Sequence, residues 1–208
     1  MSVARLDLRK SLRDFYSPPV GDVELVTPPA MKFIKVDGEG DPQGESFQQA
    51  MGLLFTLAYT LKFRSKKKLK KDYNVMAPEG LWWVKGGGFD PSKRSDWLWT
   101  LMMAVPDFIT DSMFRGAKLE VREKKDPPGL DRARLEPFEE GLCVQTMHLG
   151  PYSSEGEAVA RLGAFAKAHG YRMVGKHHEI YLGDPRRAKP SKLRTIIRHP
   201  LVRARESL

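Results

Sequence analysis

The sequence predicts an α+β fold made of two strand–helix–strand–strand modules related by a pseudo-twofold axis. Three observations predict it. The order strand, helix, strand, strand occurs twice along the chain, and a repeat of this kind implies two similar units sharing a core. Each repeat holds one helix whose apolar residues recur at spacings of three and four. The strands around each helix are short, rich in β-branched and aromatic residues, and bounded by glycine and proline clusters. The two sheets should form one layer with both helices on one face. The other face is then expected to be open as a ligand groove where the modules meet.

Residues 1–29 are polar and interrupted by Pro18, Pro19, Pro28 and Pro29, which reads as an extended lead-in. A single domain is expected over residues 30–208. Module one spans about 30–106, a connecting helix about 107–125, and module two about 138–200. In module one, Met31 to Asp37 is a strand. Glu45 to Phe63 is an amphipathic helix with the stripe Phe47, Met51, Leu54, Phe55, Ala58 and Leu61. Strands follow through Val75 to Lys85 and Trp97 to Val105, joined by the turn-rich GGGFDPSKRSD. The connecting helix is expected over Asp107 to Lys124. In module two, Gly141 to Leu149 is a strand and Ser153 to His169 a helix, opened by a capping pattern of Ser154 with Glu157. Lys176 to Gly183 and Leu193 to Arg198 complete the set.

The chain has 208 residues, 41% hydrophobic, with one cysteine and a net charge of +9. No apolar run approaches the ~20 residues of a membrane span, and the charged N-terminus lacks the apolar centre of a signal peptide. The lone Cys143 excludes an internal disulfide and suits a reducing compartment, so a soluble cytoplasmic protein is expected, with no membrane partner. The positive charge concentrates in Arg64 to Lys71 and in the tail from Arg186 to Arg205. No recognition-helix, zinc-finger or aromatic ribonucleoprotein motif accompanies either cluster. Ordinary surface charge is therefore favoured over nucleic-acid contact. The sequence leaves the oligomeric state open.

Several chemistries are absent. Gln43 stands where a dinucleotide fingerprint needs its third glycine, and Gly86 to Gly88 lack the Lys-Ser/Thr of a phosphate loop. No cofactor is expected. His177 and Glu179 mimic half of a zinc deaminase motif, but its paired cysteines are missing. His177 and His178 point to opposite faces of a strand, so no metal is expected either. What stands out is the segment His177 to Ser191. Along its strand His177, Glu179 and Tyr181 project one way, and His178, Ile180 and Leu182 the other. A carboxylate in mid-strand needs partners. All four tryptophans lie close by in sequence: Trp82 and Trp83 on opposite faces of one strand, Trp97 and Trp99 on one face of the next. Tyr59 lies beside the helix stripe. His148, Pro151, Tyr152 and Glu155 form a strand-to-helix corner whose simplest role is turn and capping chemistry.

The motifs EGLWW (Glu79 to Trp83), HLGPY (His148 to Tyr152) and HEIYLGDPRR (His178 to Arg187) resemble the GyrI-like family of stand-alone small-molecule-binding domains. KFIKVDGEGDP and the helix ending AYTLKF fit the same branch, and the likeness runs from Met31 to Pro200. The resemblance implies a site in which Glu179 is the central acid, with Tyr59, Trp82, Trp83 and Tyr181 near it. Trp97, Trp99, His148, Tyr152 and His177 complete the expected ligand-binding set. It implies binding of diverse planar, lipophilic, often cationic small molecules as partners. It also implies an alternative, hydrolysis of cyclopropanoid DNA-alkylating compounds, with Glu179 as general base and Tyr181 assisting. The family's transcription-regulator form is not expected. A third reading, a basic protein that docks on DNA or gyrase, uses none of these residues.

Overall fold

In the computed structural model, which describes residues 5–90 and 92–204, the two modules meet in a nine-stranded antiparallel sheet. The N-terminal segment supplies β1 (Arg5–Leu6), α1 (Leu8–Ser11), α2 (Arg13–Tyr16) and β2 (Val23–Val26). Module one contains β3 (Met31–Glu39), α3 (Glu45–Leu69), β4 (Asp72–Tyr73), β5 (Glu79–Val84) and β6 (Trp97–Val105). The connecting helix α4 (Asp111–Lys124) leads into β7 (Arg134–Phe138). Module two contains β8 (Cys143–Leu149), α5 (Gly156–Ala168), β9 (Tyr171–Met173), β10 (His177–Tyr181) and β11 (Arg194–Arg203). The strand order β2-β8-β11-β10-β5-β6-β3-β7 reads the same from either end in module terms. The pseudo-twofold axis therefore runs between β10 and β5, where Glu179 lies opposite Gly80.

Both long helices pack on one face, as the repeat predicts. Register places Trp82 opposite both His177 and Trp99. Phe47 of α3 stacks on Trp82 at 5.5 Å and meets Trp99 edge-on at 5.3 Å. Of the expected stripe of α3, Phe47, Leu54, Ala58 and Leu61 are buried, while Met51 and Phe55 are only partly so and Ala50, Leu53 and Leu57 take up the rest of the buried face; burying each leucine contributes ~1.5–3 kcal/mol. On module two, Ala158, Leu162 and Ala166 of α5 pack on Val144 and Ile197 in a separate small core. Ile197 is the register partner of Glu179, so the Glu179 row shares this helix face.

The expected groove was on the other face, and here the structure differs. That face is covered across its centre by the N-terminal segment, which is folded rather than extended. Tyr16 is fully buried and donates its hydroxyl proton to Glu79 at 2.8 Å. Arg198 and Gln145 donate to the carbonyls of Phe15 and Asp14. Beneath lies a buried network. His178 meets Glu79 at 2.9 Å through Nε2 and Glu140 at 3.0 Å through Nδ1, and Arg198 reaches Glu140 at 3.4 Å. Burial alone would lower the His178 pKa, but Glu140 and Glu79 carry it up to about 9. The ring is thus an imidazolium at neutral pH, and two cations and two carboxyl groups offset one another under the N-terminal cap.

Other boundaries shift for local reasons. Helix α3 runs six residues past Phe63 through the lysine run, whose cations suit the C-terminal end of the dipole, and stops at Lys70 with φ 55°. Helix α4 starts only at Asp111, where the Thr110 hydroxyl accepts from the Met113 amide at 3.3 Å. The N-cap position of α5 is Glu155, not Ser154, and its side chain makes no capping hydrogen bond; the Ser154 hydroxyl donates to the Pro151 carbonyl at 2.8 Å.

Candidate functional site

Strand β10 sits at the seam of the two modules, and its alternation is the one the sequence predicts. His177, Glu179 and Tyr181 share the helix face. Tyr181 donates its hydroxyl proton to Glu179 Oε2 at 2.7 Å, and His177 Nε2 lies 2.9 Å from Oε1. Trp82 Nε1 donates in turn to the Tyr181 hydroxyl at 3.0 Å. His177 Nδ1 meets His199 Nε2 at 2.8 Å. Burial pushes His199 down to about 3, so its ring is neutral at physiological pH. Gly80 makes this meeting possible. A Cβ there would lie 2.7 Å from both Trp82 Nε1 and the Tyr181 hydroxyl.

Burial alone would raise the Glu179 pKa, but the bonds from His177 and Tyr181 outweigh it and hold the carboxyl ionised. Burial and the Glu179 charge together push Tyr181 well above the usual tyrosine range, so it stays a donor. A second carboxyl completes the cluster. Glu155, at the start of α5, is 7% exposed, and its Oε1 is buried without a hydrogen-bond partner among the described residues. Burial, then the charge on Glu179, pushes its pKa up to about 10. Glu155 therefore keeps its proton at neutral pH, and two adjacent carboxyl groups carry one negative charge. Among the described residues, Glu155, His177 and Glu179 form the one group whose donor atoms converge within 4.8 Å, close enough to hold a metal ion.

The walls are aromatic. At the His177 end, Phe89 from the β5–β6 loop stacks on the imidazole at 4.4 Å. Trp97 packs against both Phe89 and Trp82 and is anchored by its indole N–H on the Asp90 carbonyl at 2.8 Å. At the Tyr181 end, Tyr152 meets Tyr181 edge-on at 5.8 Å and remains 39% exposed. Burial and Glu179 push the Tyr152 hydroxyl up to about 12.

This architecture matches known proteins. The GyrI-like small molecule binding domain matches over residues 21–202, most of the chain. The chain belongs to the GyrI-like family. An uncharacterized conserved protein from Listeria innocua is 42% identical, with a TM-score of 0.89, covering 95% of this chain and all of its own. A hydrolase from Listeria innocua is 41% identical with a TM-score of 0.87, covering 96% of this chain and all of its own. The EcmrR C-terminal domain, at 14% identity and a TM-score of 0.57, shares the fold alone. No functionally curated protein matches the sequence.

Within this GyrI-like domain, the site expected from the sequence is assembled only in part. Trp82, His177, Glu179, Tyr181 and Tyr152 come together. Trp97 stands behind them, and Trp99 is fully buried beneath Phe47 and Gly38, so it supports the wall without reaching the surface. His148 is bound to its own corner, with Nε2 3.1 Å from the Pro151 carbonyl and 3.2 Å from the Ser154 hydroxyl. Tyr59 is half-exposed on α3, stacked between Phe55 and Phe63. Trp83 points to the opposite face, under the Lys176 ammonium at 3.3 Å. Glu155, His199, Phe47 and Phe89 belong to the cluster or its support, and sequence reasoning did not select them. An acid at a helix start reads as capping, so nothing in HLGPYSSE separates Glu155 from an ordinary cap.

Proposed function

We propose that this GyrI-like domain binds planar lipophilic molecules at the module seam and hydrolyses those bearing a strained cyclopropane fused to a conjugated dienone. The observation that carries the reading is the carboxyl pair: ionised Glu179, held by two donors, beside proton-bearing Glu155. The similarity to a Listeria innocua hydrolase supports the same choice. Glu179 takes a proton from a water as its oxygen attacks the cyclopropane methylene. The carbon–carbon bond breaks, its electrons aromatise the ring, and Glu155 protonates the former dienone oxygen. The proton on Glu179 then returns to Glu155 within the pair, which restores the starting state. Tyr152, which remains exposed, holds the planar substrate in register, with Trp82 buried behind Tyr181 as its support. Glu179→Gln is expected to lower kcat by ~10²–10⁴-fold with KM little changed. Unchanged kcat in that variant would sink the reading.

A second reading, sequestration of planar cations without turnover, rests on the same carboxylate set among aromatic rings, a setting in which each desolvated cation–π contact contributes ~2 kcal/mol. It expects rhodamine-type dyes to quench tryptophan fluorescence in wild type, to bind more weakly to Glu179→Gln, and to be recovered unaltered.

A further inference from the structure

Trp83 lies on the face of the sheet opposite Glu179, where register aligns it with Leu98 and Glu39. These side chains border a cavity of about 430 Å³, together with Thr100, Lys176, Arg132 and Arg134. The charges around it are unevenly matched. Asp37 is engaged by Arg134 at 2.7 Å and by the Thr100 hydroxyl at 2.7 Å, and Arg134 also meets Glu136 at 3.0 Å. The Arg132 side chain donates, among the described residues, only to the Asp37 main-chain carbonyl, at 3.2 Å. Among the described residues, neither Arg132 nor Lys176 has a carboxylate within 4.0 Å. Lys176 is half-buried, held 3.3 Å over the indole of Trp83. Its pKa is lowered, burial being the main cause, with the Asp37 charge offsetting this only in part.

We propose that this cavity is a second ligand site that takes a planar aromatic carboxylate. The carboxylate would sit between Lys176 and Arg132, whose guanidinium fork matches its two oxygens. The ring would lie against Trp83 and Leu98. The site is opposite in charge preference to the Glu179 cluster and lies on the other side of the sheet, so the two ligands need not compete.

Calorimetric titration of the full chain with 2-naphthoate tests this, with 2-naphthalenemethanol as the neutral counterpart. The expected result is one carboxylate bound per chain, the alcohol at least tenfold weaker, and affinity falling as salt rises. Lys176→Gln and the exposed-residue variant Arg132→Ser should each weaken 2-naphthoate at least fivefold, while Glu179→Gln should leave it unchanged. Equal binding of acid and alcohol, wild-type affinity in both basic variants, loss on Glu179→Gln, or no heat at millimolar ligand would each overturn the proposal. None of these outcomes depends on turnover at the carboxyl pair.

Discussion

Glu179 sits mid-strand and largely shielded from solvent, a placement tolerable because His177 and Tyr181 each spend a hydrogen bond on it. Among the described residues Glu155 lacks a comparable pair of donors, and burial with the nearby Glu179 charge keeps it protonated. The sign of the resulting pH dependence follows from its raised folded pKa of about 10 against an ordinary value of 4.5. The stability tied to the bound proton is fully present below pH 4.5 and is lost as pH rises through the folded value. Wild type should therefore lose thermal stability between pH 5 and pH 9 more steeply than Glu155→Gln, a difference that scanning calorimetry across that range reads directly. Gly80→Ala should cost ~1–3 kcal/mol in urea unfolding, because its methyl meets Trp82 and Tyr181. It should also lower turnover by separating the two rings. A neutral Gly80→Ala would mean that this contact yields without strain.

At the scale of elements, alternation and helical spacing were the legible signals. The faces of β10 follow from period two, and the stripe of α3 from 3.6. The two edge strands were not legible. β2 falls in a proline-rich stretch, and β7 carries Pro137, which suits an edge position but breaks a strand pattern. Alternation places His178 on the face of Ile180 and Leu182 but does not reveal its partners, Glu79 and Glu140, residues 99 and 38 positions away. Such partners have no local trace. Because the His178 pKa is raised to about 9 in the fold, its stabilising contribution is complete below about pH 6.5 and lost as pH rises through 9. His178→Gln should cost ~3–5 kcal/mol at pH 6.5 and much less above pH 9, as denaturant melts at the two pH values would show. An equal loss at both would assign the effect to packing alone.

For the whole molecule, the repeat predicted the architecture because each module is a self-similar unit, and the order β3-β6-β5 mirrored by β8-β11-β10 is the direct result. The side of the sheet that carries the site was not predictable from the repeat. It depends on where the N-terminal segment docks, a long-range choice fixed by Tyr16, Glu79 and Arg198. With the centre of that face covered, the seam between α3 and α5 gathers Glu155 and Glu179, which are 24 residues apart in sequence, into one pair. In the proposed reaction this pair delivers water to carbon. The direct measurement is mass spectrometry of a cyclopropanoid dienone incubated with the protein in ¹⁸O-labelled water. The expected result is a ring-opened product carrying one labelled oxygen with wild type and unconverted, still-bound substrate with Glu179→Gln. Labelled product at the wild-type rate from Glu179→Gln, or no product from wild type beyond the uncatalysed background, would contradict it.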